Sequence, residues 1–120
     1  MSVGLSPVVL LLGDEGVGRK RAEEEIVKQV FGDAPSSFNF ATFSAADGAE
    51  RAVEVAKTVP MMAKHRVVII REMEAAPVDL LEDLLAYAER PSPSTVLILN
   101  GIKTPPASGG MDRGRRLENA

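Results

Sequence analysis

The first residues with chemical potential form a glycine-rich run, Gly13-Asp14-Glu15-Gly16-Val17-Gly18-Arg19-Lys20, directly after the apolar run Pro7–Leu12. A strand, a glycine loop and a helix in that order can cradle a phosphate, because backbone N–H groups and the helix N-terminus face the anion. The phosphate-binding pattern is G-x-x-x-x-G-K-[ST], and Gly13 and Gly18 stand at its two glycine positions. The next two positions depart from it. Arg19 replaces the phosphate-bridging lysine, and Lys20 replaces the hydroxyl that ligates Mg²⁺, a role closed to a protonated lysine. Asp14 and Glu15 bring negative charge into the loop. A metal-holding acid belongs at the end of a later buried strand, where this chain has Arg71 and then Glu72. The reading is a degenerate, non-functional P-loop built on Gly13, Gly18, Arg19 and Lys20, with no cofactor and no metal. A glycine turn that lets strand meet helix is its structural meaning. The spacing of Gly13, Gly16 and Gly18 is not the dinucleotide fingerprint either.

Other reactive residue types are sparse. There is no cysteine and one histidine, His65, which excludes disulfide scaffolds, thiolate metal sites and histidine-pair mechanisms. No nucleophile–base pair or carboxylate pair stands out. Glu23-Glu24-Glu25 reads as a solvated helix face, as do Asp79, Glu82 and Asp83. Arg113, Arg115 and Arg116 form a short basic stretch able to touch phosphate, more simply read as solvated. Met61-Met62 follows Pro60, with Lys57, Lys64, His65 and Arg66 around it. From spacing alone the two methionines are core fillers, with a partner-binding knob as the alternative.

These residues must be held by a framework. The 120 residues carry 14 Lys+Arg against 17 Asp+Glu, a net charge of −3, which gives no global electrostatic case for nucleic acid. Hydrophobic residues make up 45%, enough for one globular domain. The apolar run before Gly13 is far short of the roughly 20 residues that span a bilayer, and no basic stretch precedes it as in an export signal; a cytoplasmic protein is expected. Pro7–Leu12, Val67–Ile70 and Thr95–Leu99 read as buried strands. Phe38–Phe43 alternates as a strand whose faces carry Phe38, Phe40 and Thr42 on one side and Asn39, Ala41 and Phe43 on the other. Helices are predicted over Arg19–Phe31, closed by Gly32, over Ala46–Thr58, stopped by Pro60, and from Pro77 to a stop at Pro91. Their apolar stripes are Ala22, Ile26 and Val30; Ala52, Val55, Ala56 and Val59; and Leu80, Leu81, Leu84, Leu85 and Ala88. The alternation of strand and helix predicts an α/β domain with a mostly parallel sheet over residues 1–102. Residues 103–120 are a Pro/Gly/Ser-rich loop and a basic segment, expected to be a truncated part of the same domain.

Four segments in order resemble one family. VVLLLGDEGVGRKRAEEEIVKQVF (8–31), FNFATFSAADG (38–48), TVPMMAKHRVVIIRE (58–72) and LLAYAERPSPSTVLIL (84–99) are similar to the N-terminal domain of the delta subunit of bacterial DNA polymerase III, a clamp-loader subunit. The resemblance implies an AAA+-like, P-loop NTPase-type three-layer domain without ATPase or other catalytic activity. It implies binding of the ring-shaped sliding clamp, the beta subunit, and help in opening that ring for loading on primed DNA in replication. In the family, two adjacent hydrophobic residues just before the third strand make the contact, commonly Leu or Met and then Phe. Here they are Met61 and Met62, flanked by Lys57, Lys64 and Arg66. The family protein is also longer, so joining other clamp-loader subunits would need C-terminal domains beyond this stretch. The alternative class is a nucleotide-binding switch or small NTPase with an atypical P-loop.

Overall fold

The structure is a computed structural model that describes residues 7–32, 40–47, 49–58 and 65–103. In chain order the elements are β1 (Val8–Leu12), α1 (Gly16–Phe31), β2 (Phe40–Ser44), a 3₁₀ turn at Ala49–Arg51, α2 (Ala52–Lys57), β3 (Arg66–Arg71), a second 3₁₀ turn at Met73–Ala75, α3 (Val78–Glu89) and β4 (Thr95–Gly101). The four strands are all parallel, in the order β1-β4-β3-β2. Parallel neighbours need crossover connections, and the helices between strands supply them.

Strand side chains alternate between two faces. Val68, Ile70, Leu97 and Leu99 point to one face and join Ala52, Val53 and Ala56 of α2 and Leu80, Leu81, Leu84 and Tyr87 of α3. Val67, Ile69, Val96 and Ile98 point to the other and meet Ile26, Val27, Val30 and Phe31 of α1. The result is three layers: α1, the sheet, and α2 with α3. Because both faces are covered, β3 and β4 are near-continuous apolar runs, buried along almost their whole length.

The expected strands and helices are present, with shifted ends. α1 begins at Gly16, three residues before the expected start at Arg19, so Gly16 and Gly18 lie in its first turn. Arg19 N–H already donates to the Glu15 carbonyl at 3.2 Å, and no side chain caps the N-terminus. Gly32 ends the helix at φ 74°, a conformation that favours glycine, and its N–H returns to the Lys28 carbonyl at 2.7 Å. The helix expected over 46–58 is shorter: one 3₁₀ turn, then Ala52–Lys57. Thr58 Oγ1 bonds the Glu54 carbonyl at 2.9 Å, and Thr95 Oγ1 bonds the Ala56 carbonyl at 2.7 Å, so side chains satisfy the last carbonyls of this short helix. Phe40 and Phe43 pack on opposite faces, as the alternation predicts, while Phe38, Asn39, Val59 and Pro60 lie outside the described residues. Tyr87 joins the buried stripe of α3, which the apolar pattern had not included, and its hydroxyl accepts the Ser92 N–H at 3.2 Å.

Candidate functional site

The carboxyl ends of β3 and β4 meet the N-terminal half of α1, the end of an open parallel sheet where ligands gather. On β3 the side chains of Val67 and Ile69 face α1, so the next residue of that parity is Arg71. On β4, Val96 and Ile98 are followed by Asn100. The register pairs Ile70 with Leu99, so Arg71 and Asn100 stand side by side one step further. On α1, Arg19, Glu23 and Val27 follow one another at intervals of four and share a face. The apolar stripe that covers the sheet therefore turns polar on all three elements at the same level.

A connected network results. Arg71 Nε donates to Glu23 Oε2 at 3.2 Å and Nη2 to Oε1 at 2.8 Å, a two-pronged ion pair. Asn100 Nδ2 donates to Glu23 Oε2, and Asn100 Oδ1 accepts Arg19 Nη1 at 2.6 Å. Glu23 is 3% exposed. The hydrogen bond from Arg71 to Glu23, ahead of an opposing desolvation and with added charge attraction, raises the Arg71 pKa. The expectation that Glu23-Glu24-Glu25 forms a solvated face is thus corrected at Glu23 alone; Glu24 and Glu25 are exposed. The burial was signalled by position, since Glu23 sits three and four residues before Ile26 and Val27 of the buried stripe.

The same end is tightly built on its far side. Glu72 adopts a left-handed backbone, φ 60° and ψ 43°, a conformation that costs a non-glycine residue about 1–2 kcal/mol. It turns the chain from β3 into the 3₁₀ turn at Met73, and its carboxylate accepts Ser44 Oγ at 2.5 Å. Gly101 ends β4 where a Cβ would lie 2.7 Å from the Met73 nitrogen and 2.8 Å from Glu74 Oε1. Gly13 N–H reaches the Gly101 carbonyl at 3.2 Å.

Of the loop positions expected to mimic a phosphate cradle, Gly13 keeps a positive φ of 153°. Gly18 lies inside the helix, Arg19 turns to Asn100, and Lys20 lines the pocket at the head of α1. Among the described residues no group of three or more His, Asp or Glu could hold a metal. No helix among them is long and apolar enough to cross a membrane.

At the opposite, amino end of the sheet, Lys57 is exposed at the end of α2 and His65 is exposed before β3. Arg66, expected to flank a docking surface, is buried at 7% exposure, with its Nε lacking a hydrogen-bond partner. Its backbone N–H is held by the Ser94 carbonyl at 2.8 Å, so the first residue of β3 is drawn into the sheet rather than left at the rim. Met61, Met62 and Lys64, and the basic Arg113, Arg115 and Arg116, lie outside the described residues.

Comparison with known proteins places this arrangement. The structure is similar to that of the Bacillus subtilis DNA clamp loader delta protein, with a TM-score of 0.78 and 21% identity, over 95% of this chain and 36% of that one. It is also similar to a DNA polymerase III gamma subunit-related protein from Thermotoga maritima, with a TM-score of 0.66 and 16% identity, over 78% of this chain and 34% of that one. The fold is thus the AAA+-like α/β fold of these proteins, and the chain spans about a third of the length of each. A comparison with curated protein sequences gave no match. The model of the family "DNA polymerase III, delta subunit" matches residues 10–106, which runs from within β1 through β4 and includes every residue of the polar network, and on this ground the chain belongs to the DNA polymerase III delta subunit family.

Proposed function

We propose that this chain binds a ring-shaped sliding clamp through Met61 and Met62 and helps to open the ring for loading on primed DNA, without hydrolysing ATP itself. The observation that carries the reading is the delta-subunit family match, which runs through the segment holding both methionines. That segment joins α2, packed on the sheet, to β3, an inner strand of it, so the elements at its two ends are anchored. Each methionine side chain contributes about 1.5–3 kcal/mol if fully buried by a partner. Exposed Lys57 adds a positive charge at one end of the segment, suited to steer an acidic rim. Opening follows only if the chain binds an opened ring better than a closed one, because a ligand shifts an equilibrium by its differential affinity. Assembly with other clamp-loader subunits belongs to longer members of the family and is proposed only for a chain that carries their further domains.

A nucleotide-binding switch is the competing reading. Two features weigh against it: Arg19 is engaged with Asn100, and the carboxylates of Glu23, Glu72 and Glu74 line the pocket at the head of α1, where they repel a polyphosphate. The deciding experiment is surface plasmon resonance of the chain on immobilised clamp, with the Met61→Ala/Met62→Ala variant beside it. Binding by the wild type and its loss in a folded double variant supports the proposal. A folded wild type that does not bind overturns it for this chain. A double variant that binds unchanged moves the contact elsewhere.

A further inference from the structure

β3 opens with a cation that the fold has buried. Arg66 is 7% exposed, and the strand register sets it beside Thr95. It has the parity of Val68 and Ile70, which face α2 and α3. The polar groups at this end are spent on other neighbours. Thr95 Oγ1 donates to the Ala56 carbonyl at 2.7 Å, and the Tyr87 hydroxyl accepts the Ser92 N–H at 3.2 Å. The Ser94 carbonyl takes the backbone N–H of Arg66 and not its side chain. The guanidinium is left over: its Nε is buried without an acceptor, and among the described residues no carboxylate pairs with it. We propose, resting on the reading that Met61 and Met62 bind a clamp, that Arg66 is the charged centre of that contact and receives a carboxylate from the clamp.

Three observations support this. The first is the missing counter-ion. A buried charge without a partner destabilises the chain that holds it. Arg71, at the other end of the same strand, shows how this fold treats a cation that serves the fold itself: it grips Glu23 with two prongs. Arg66 has the same fork, whose geometry matches a carboxylate, and no such partner. The second is charge. From Lys57 to Arg66 the sequence carries Lys57, Lys64, His65 and Arg66 and no acid. The connection from α2 to β3 therefore holds no carboxylate to give, and exposed Lys57 favours the approach of an acidic partner. The third is place. Arg66 follows Met62 by four residues, a reach of at most about 14 Å even in an extended chain, within the footprint of a standard interface. An apolar anchor beside a desolvated arginine is the composition of a binding hot spot.

The test is surface plasmon resonance of the 120-residue chain on immobilised clamp, run beside thermal melting of the free chain. Arg66→Met keeps the apolar stem and removes the charge. The free variant is expected to melt no lower than the wild type, because the charge it loses has no partner there. Its affinity for the clamp should fall about thirtyfold or more, mostly through faster dissociation, as for a charge pair desolvated in an interface. Lys57→Gln, at the exposed rim, should slow association and leave dissociation almost unchanged. Arg66→Lys keeps the charge without the fork and should recover only part of the loss. An Arg66→Met chain that binds as tightly as the wild type overturns the proposal. So does one that melts markedly lower or does not fold, since Arg66 then serves the fold of its own chain. Loss of binding in Met61→Ala/Met62→Ala with none in Arg66→Met overturns this inference alone and leaves the methionine contact standing. A folded wild type that does not bind the clamp overturns both.

Discussion

On the α2–α3 face of the sheet, Val68, Ile70, Leu97 and Leu99 are closed over by Met73, Leu81, Leu84 and Tyr87, all of them almost wholly buried. On the α1 face, Val67, Ile69, Val96 and Ile98 are equally buried, but the α1 residues that cover them, Ile26, Val27, Val30 and Phe31, are only partly so. The one fully buried residue of α1 is a carboxylate, Glu23. The first face is held by area removed from water, a term that needs no particular geometry. The second is held by apolar contact at the C-terminal half of α1 and by a polar clasp at its N-terminal half, and the clasp works only in one arrangement. A helix fastened at one end by a directional network is fixed in register along the sheet as well as held against it.

The largest effect that would break this contrast is on the apolar face. Leu84→Ala is expected to cost about 3 kcal/mol, and Val27→Ala on the α1 face about 1 kcal/mol. Urea unfolding monitored by circular dichroism measures both, and equal losses would mean that the two faces carry equal apolar weight. The clasp comes next. Arg71→Ala strands a carboxylate that is 4% exposed, whereas Glu23→Ala frees an arginine side chain that is 50% exposed and can return to water. Arg71→Ala is therefore expected to cost about 2–3 kcal/mol and Glu23→Ala about 1 kcal/mol less. The same unfolding series checks the order, and a reversed order would show that the arginine and not the carboxylate is the dependent partner. The smallest effect is at alkaline pH. Burial, opposed by the hydrogen bond from the Ser92 N–H, raises the Tyr87 pKa above its ordinary value. The folded state then holds the phenolic proton more tightly than the unfolded state does. The stability this contributes is complete below a pH of about 10 and is lost as pH rises through the folded-state value. Melting from neutral to strongly alkaline pH should show that fall, and Tyr87→Phe should lose the part due to this group.

Much of the framework was legible because it is written in short-range patterns. The runs Val67–Ile70 and Thr95–Leu99 are apolar at successive positions, which suits strands covered on both faces, and Gly32 and Pro91 mark helix ends by backbone restrictions of their own. The start of α1 was misplaced because Gly16 and Gly18 are poor helix formers, and here tertiary contact through Arg19 and Glu23 outweighs that preference. Glu23 itself was read from its type and its two acidic neighbours, when its interval to Val27 placed it on the buried stripe. The burial of Arg66 was not legible, because nothing within a few residues of it reports the Ser94 carbonyl or the depth of β3.

By itself the sequence determined the alternation of strands and helices, the parallel α/β class, and the replacement of lysine and hydroxyl by Arg19 and Lys20. All of these depend on residues within a few positions of one another. Only the tertiary structure decided that Glu23 meets Arg71 and Asn100, partners 48 and 77 residues away along the chain. The physical reason is register. Periodicity tells which face of a strand or helix a residue occupies, but which residues on two faces stand opposite each other is set only when the sheet order and the packing of α1 across β3 and β4 are in place.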